Sequence, residues 1–195
     1  MSPNPARAAL TLVAAVGVVG ACRQRWELDQ IRRGCRAPIW AATSAVPGSS
    51  HGPIATRVAA WHPQRPVTRA GQVVAATWAA PVTFAGLLVA AASGVWPRWR
   101  PDAGVLVAVG AGGLAARSGV DATALGHVII CRRDRLSPKL LVHELAHVRQ
   151  AERLGPLLIP TYAWWLARHG YRDNPLECGA RGATRAVLDV RTGRP

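Results

Sequence analysis

Acidic residues and lysine are scarce in this chain. Ten Asp and Glu stand against 24 Lys and Arg in 195 residues, a formal net charge of +14, and Lys139 is the single lysine. Such an excess suits an anionic surface, either nucleic acid or membrane. The arginines are spread from Arg7 to Arg194, however, with no basic stripe interleaved with stacking aromatics and no nucleic-acid-binding motif. A specific nucleic-acid partner is therefore not expected. The four cysteines, Cys22, Cys35, Cys131 and Cys178, form no Cys-x-x-Cys pair. That excludes a cysteine-type zinc site and defines no disulfide framework. Phenylalanine occurs once and tyrosine twice, so eight tryptophans carry the aromatic mass. No internal repeat is visible.

Sustained periodicity is missing from residues 1–70. An apolar run over residues 8–21 is too short to cross a bilayer, which takes about 20 residues, but suits a signal-peptide core. It ends in Val-Gly-Ala-Cys, a lipoprotein-like box that would place a lipid on Cys22. Residues 23–69 are rich in Arg, Pro, Ala, Ser and Gly and read as poorly ordered. The region 1–70 is thus expected to be poorly ordered or signal-like.

Charge then disappears altogether between Arg69 and Arg98. An uncharged stretch of this length, with Trp78 and Trp96 near its ends, has the pattern of a transmembrane helix over residues 71–97. Its many Ala, Gly and Thr residues and Pro81 leave a buried core helix as the competing reading. Arg57, Arg65 and Arg69 on one side balance Arg98, Arg100 and Arg117 on the other, so orientation stays open. A membrane location, the bacterial inner membrane, with lipid as a partner, is the expectation.

Residues 98–195 read as a small α+β domain. Short β-branched runs at 104–109 and 125–131 predict strands. Three helices follow. The first has Ser137 as N-cap and Pro138 at its first position, and stops at Gly155-Pro156. The second covers residues 157–170. The third has Asn174 as cap, Pro175 next, and an apolar stripe of Leu176, Ala180, Ala183, Val187 and Val190.

The first of these helices carries His143-Glu144-Leu145-Ala146-His147. Histidines four residues apart project from one helix face, one turn above the other, and can bind one tetrahedral ion. Glu144 is rotated by about 100° from His143, beside the metal position, where a general base belongs. Zinc lowers the pKa of bound water to about 7 and polarises a carbonyl, and the carboxylate relays the proton. A third ligand is needed; spacing offers His169, Asp173, Glu177 and Cys178. Glu177 sits in the first turn of a helix, where an acid also suits the helix dipole. The preceding strand could pair with an extended substrate; His127 on it reads as structural. Tyr162, His169, Tyr171 and Arg149 are candidate oxyanion donors that sequence does not rank. Trp164 and Trp165 read as core residues by default, with the membrane surface as the other possibility.

The segments PVTFAGLLVAAASG, LGHVI, HELAHVRQAERLGPLLIPTY and GYRDNPLECGA together resemble a family of short bacterial proteins regarded as zinc metallopeptidases. The resemblance covers about half the chain, residues 78–183. It implies a zincin-like fold with the HExxH helix, bound Zn2+, and Glu177 as the third ligand beside His143 and His147, as in gluzincins. This chain departs from the family at Cys178 and Gly179, where a second acid is lost, and at Ala151, where an aromatic is common. The combined expectation is a membrane-associated zinc-dependent peptidase in which Glu144 is the general base and peptide or protein is the substrate. A non-catalytic, membrane-anchored metal-binding or interaction protein is the alternative.

Overall fold

The uncharged stretch after Arg69 is helical only as far as Ala92; the helix expected over 71–97 stops five residues early, at Ser93 and the positive-φ Gly94. In the computed structural model, which describes residues 68–113 and 119–192, helix α1 runs over Arg69–Ala92. Thr68 caps it, its hydroxyl accepting from the Gly71 N–H at 3.1 Å, and Ser93 ends it. At 24 residues it is about 36 Å long, and it is long and apolar enough to cross a membrane. One face is buried through Ala79, Val82, Gly86 and Ala90, spaced by helical turns. Val73, Val74, Phe84 and Leu88 on the remaining surface are exposed. The helix is therefore neither wholly buried nor free-standing. The signal-like and poorly ordered readings of residues 1–67 lie outside the described residues.

Four short strands form one mixed sheet: β1 (Arg98–Arg100), β2 (Val105–Ala108), β3 (Ala122–Leu125) and β4 (Val128–Cys131), in the order β1-β2-β4-β3. β1 pairs antiparallel with β2, β2 parallel with β4, and β3 antiparallel with β4. Sequence patterning resolves β2 and β4 but merges their neighbours. The run 125–131 is not one strand. It turns at Gly126-His127, with Leu125 opposite Val128, and β3 lies before the turn. Gly126 has φ +60°, and a Cβ there would collide with Thr83 of α1. His127 is consequently a turn residue rather than a strand residue. β1, only Arg-Trp-Arg, is too short to show a period.

Three helices complete the α+β fold: α2 (Pro138–Leu154), α3 (Leu158–His169) and α4 (Pro175–Thr192), with a 3-10 turn, Gly155–Leu157, between the first two. Their starts follow the capping chemistry. Ser137 accepts from the Leu140 N–H at 3.2 Å, and Asn174 Oδ1 from the Leu176 N–H at 3.0 Å. Gly155 ends α2 with φ 52°. It lies so close to the Trp78 indole that any side chain there would clash.

Packing forms two apolar layers that meet at α1. Ala79 and Val82 pack with Ala151, Leu158 and Leu176, while Ala90 packs with Ala108, Ala111, Val128 and Ile130. On the other side of the sheet Val105, Val107 and Ile129 meet Val148 of α2. Ala146, Ala180 and Ala183 form a small-residue seam between α2 and α4, which lets the two backbones approach closely. That approach carries Glu177 to the histidines.

Candidate metal centre

Helix α2 supplies His143, Glu144 and, one turn on, His147, and α4 supplies Glu177 from its first turn. The imidazole Nε2 atoms are 3.3 Å apart. Glu177 Oε2 is 3.4 Å from His143 Nε2, and Glu177 Oε1 is 3.5 Å from His147 Nε2. The two rings stand almost perpendicular, at 81°. His143 and Glu177 are buried and His147 nearly so.

These three side chains form a group that could hold a metal ion. The fit can be tested on the distances themselves. Ligand atoms about 2 Å from a tetrahedral centre lie about 3.3 Å from one another, close to all three separations. Two imidazole nitrogens and a carboxylate oxygen are a donor set suited to a borderline-soft divalent cation. Glu177 Oε2 is buried without a hydrogen-bond partner, which is costly unless a cation or another group completes it.

The surrounding groups hold the triad in place. His147 Nδ1 lies 2.8 Å from Gln150 Oε1, and Gln150 Nε2 donates to the Leu176 carbonyl at 3.0 Å. With the proton on Nδ1, Nε2 presents its lone pair to the centre. Gln150 thus links a histidine of α2 to the residue preceding Glu177. Tyr162 donates its hydroxyl to Glu177 Oε1 at 2.8 Å. Sequence reasoning missed Gln150 entirely. Its only signal is its place three residues after His147, one turn along the same helix.

Charge and burial act together. Burial opposes ionisation of Glu177, but His147 and His143 outweigh it and hold the carboxyl well below its ordinary range. Burial likewise opposes the His147 imidazolium, yet Glu177, Glu144 and Gln150 raise its pKa to about 9. Glu144 is 2 % exposed. Burial pushes its carboxyl up and Glu177 adds to this, against the histidines and the Ala124 backbone N–H. Its Oε2 is buried without a hydrogen-bond partner. Burial, with Glu177 second, keeps both Tyr162 and Tyr171 protonated far above neutrality.

His143, Glu144, His147, Tyr162, Tyr171 and Glu177 line a cleft of about 300 Å³. Its walls are Val120 and β3 on one side and Leu158, Ile159, Ala163 and Leu166 on the other. β3 is an edge strand, so one side of its backbone is not used by the sheet.

The remaining sequence candidates sort clearly. His169 ends α3, and neither it nor Asp173 lines the cleft. Cys178 points away: its thiol lies 3.6 Å from the Arg172 carbonyl and 3.2 Å from Arg181. Arg149 pairs with Glu152, which also meets His127 at 3.1 Å. Tyr162 and Tyr171 line the cleft; Arg149, His169 and His127 do not. Trp165 packs on the core, whereas Trp164 is exposed. Compared with known proteins, the chain matches no family model, no curated protein and no solved structure.

Proposed function

We propose that this protein is a membrane-associated, zinc-dependent peptidase of zincin-like, specifically gluzincin-like, architecture. The observation that carries the reading is the convergence of His143, His147 and Glu177 with a fourth group, Glu144, buried in the same cleft. His143 Nε2, His147 Nε2 and a Glu177 oxygen would hold the ion. When bound, zinc supplies a Lewis acid that polarises a carbonyl and acidifies water.

The chain's own residues do the rest. Glu144 Oε2 takes a proton from the attacking water and passes it to the departing amine. The C–N bond breaks, the water oxygen stays on the acyl carbon, and the products are a carboxylate and an amine. Burial raises the Glu144 pKa and so makes its carboxylate a stronger base than a free one. Tyr162 and Tyr171 stay phenols in the cleft; Tyr162 gives its one O–H to Glu177, so either would have to turn from the carboxylate to donate to a developing oxyanion. The free side of β3 can hydrogen-bond an extended peptide.

Glu144→Gln is the direct test. It should leave zinc bound and lower kcat on a general peptide substrate by on the order of 10²–10⁴-fold. Retained zinc with no hydrolysis by either form would favour a non-catalytic metal protein. Unchanged hydrolysis in the variant would refute the role of Glu144.

A further inference from the structure

The exposed part of α1 from Val73 to Leu88 is apolar apart from Thr77, with Phe84 62 % and Leu88 56 % exposed, and the chain carries no charge between Arg69 and Arg98. Apolar surface left in water costs about 25 cal/mol per Å², and a continuous patch marks a surface for lipid or protein. This helix is not an isolated span. Trp78 Nε1 donates to the Arg153 carbonyl at 3.2 Å, and the His127 N–H donates to Thr83 Oγ1 at 3.1 Å. Gly86 sits against Leu125 of β3. The helix is fastened along its length to the body that holds the cleft, so whatever binds its outer face also orients the cleft.

The apolar surface reaches the cleft rim. Gly155 clamps the 3-10 turn to the Trp78 indole. Directly after it come the exposed Leu157, Ile159 and Trp164. Ile159 is 49 % exposed and lines the cleft as well. Apart from the metal ligands, Glu144 and the two tyrosines, the lining is Val, Ala, Leu, Ile and Thr123. Among the described residues, no basic side chain and no further acid lines it. At the far end of α1 the exposed Trp96 and Trp99 alternate with Arg98 and Arg100. Indole and guanidinium side by side suit the headgroup layer, and a net charge of +14 favours an anionic one.

We propose that the cleft works at a bilayer: the outer face of α1 and the start of α3 form one docking surface for an anionic lipid membrane, and the cleft takes apolar polypeptide segments presented there. The substrate half rests on the hydrolase reading above; the docking half does not.

Phe84 and Trp164 are both exposed and neither lines the cleft, so the double variant Phe84→Glu/Trp164→Glu probes the surface and spares the chemistry. The full chain is sedimented with phosphatidylcholine vesicles, with and without phosphatidylglycerol. The wild type should bind the anionic vesicles preferentially, and the double variant at least roughly tenfold more weakly, since each charge opposes insertion. Because only α1 and α3 are altered, the apolar run at residues 8–21 cannot account for such a loss. In the second arm, an apolar peptide is offered free in solution or anchored to the vesicles by an acyl chain. The wild type should cleave the anchored form faster, and the double variant should lose that preference while keeping its rate on the free peptide. Vesicle binding unchanged in the double variant, or loss of self-association in place of vesicle binding, would overturn the docking surface. Equal cleavage of free and anchored peptide would overturn the substrate assignment. Cleavage of neither peptide would count against the hydrolase reading alone, and sedimentation would still decide the docking surface.

Discussion

At the scale of single residues, the account turns on how few side chains fix the geometry. Gln150 is a positioning residue: it holds the His147 ring by one end and the backbone before Glu177 by the other. Gln150→Ala should weaken zinc affinity roughly 10–100-fold, as loss of such partners does, measured by competition with a chromogenic chelator; unchanged affinity would remove Gln150 from the site. Protons would compete with a metal ion for the same atoms. In metal-free protein the His147 pKa rises from 6.5 to about 9, so its charged form contributes stability fully present below pH 6.5 and lost as pH rises through 9. Glu144, raised above 4.5, acts in the same direction from pH 4.5 upward. Chelator-treated protein should therefore show a falling Tm between pH 6.5 and 9, a slope that zinc removes by replacing the proton. A Tm rising over that interval would contradict the assignment. The His-Glu-x-x-His spacing was legible in the sequence because it is local to one helix. Gln150 was not, because its meaning depends on a carbonyl 26 positions away.

At the scale of elements, capping chemistry explains why the helices were readable. Ser137-Pro138 and Asn174-Pro175 start α2 and α4 as their side chains dictate. The sheet was only half readable. β2 and β4 are buried, β-branched strands, whereas β3 is Ala-Thr-Ala-Leu and half-buried, with no alternation to expose it. It is nonetheless the strand that lines the cleft. Its position is set by α1, whose Gly86 permits contact with the Leu125 backbone at a separation a Cβ would reduce to 2.7 Å. Gly86→Val should cost about 1–3 kcal/mol through overpacking, visible as a lower Tm. Ala91→Val, on the exposed face of the same helix, should stay within about 0.5 kcal/mol. Equal Tm values for the two variants would show that α1 is not seated as described.

At the scale of the whole molecule, one apolar helix has two unlike faces. Its inner face completes the core of the domain, and its outer face carries no charge after Arg69 at its first position. The sequence offers a spanning helix and a buried core helix as alternatives, because mean hydropathy cannot separate a helix apolar all round from one apolar for two reasons. Only tertiary packing divides the faces. The same packing brings α2 and α4 together along the Ala146, Ala180 and Ala183 seam, and so gathers from two helices the group that could hold a metal ion. Zinc content of the purified full chain, wild type against Glu177→Ala, tests this most directly. The account predicts about one zinc per folded chain in the wild type, lost in a variant that keeps its helical circular dichroism. A wild type that stays metal-free after zinc loading, or a variant that keeps its zinc, would contradict it.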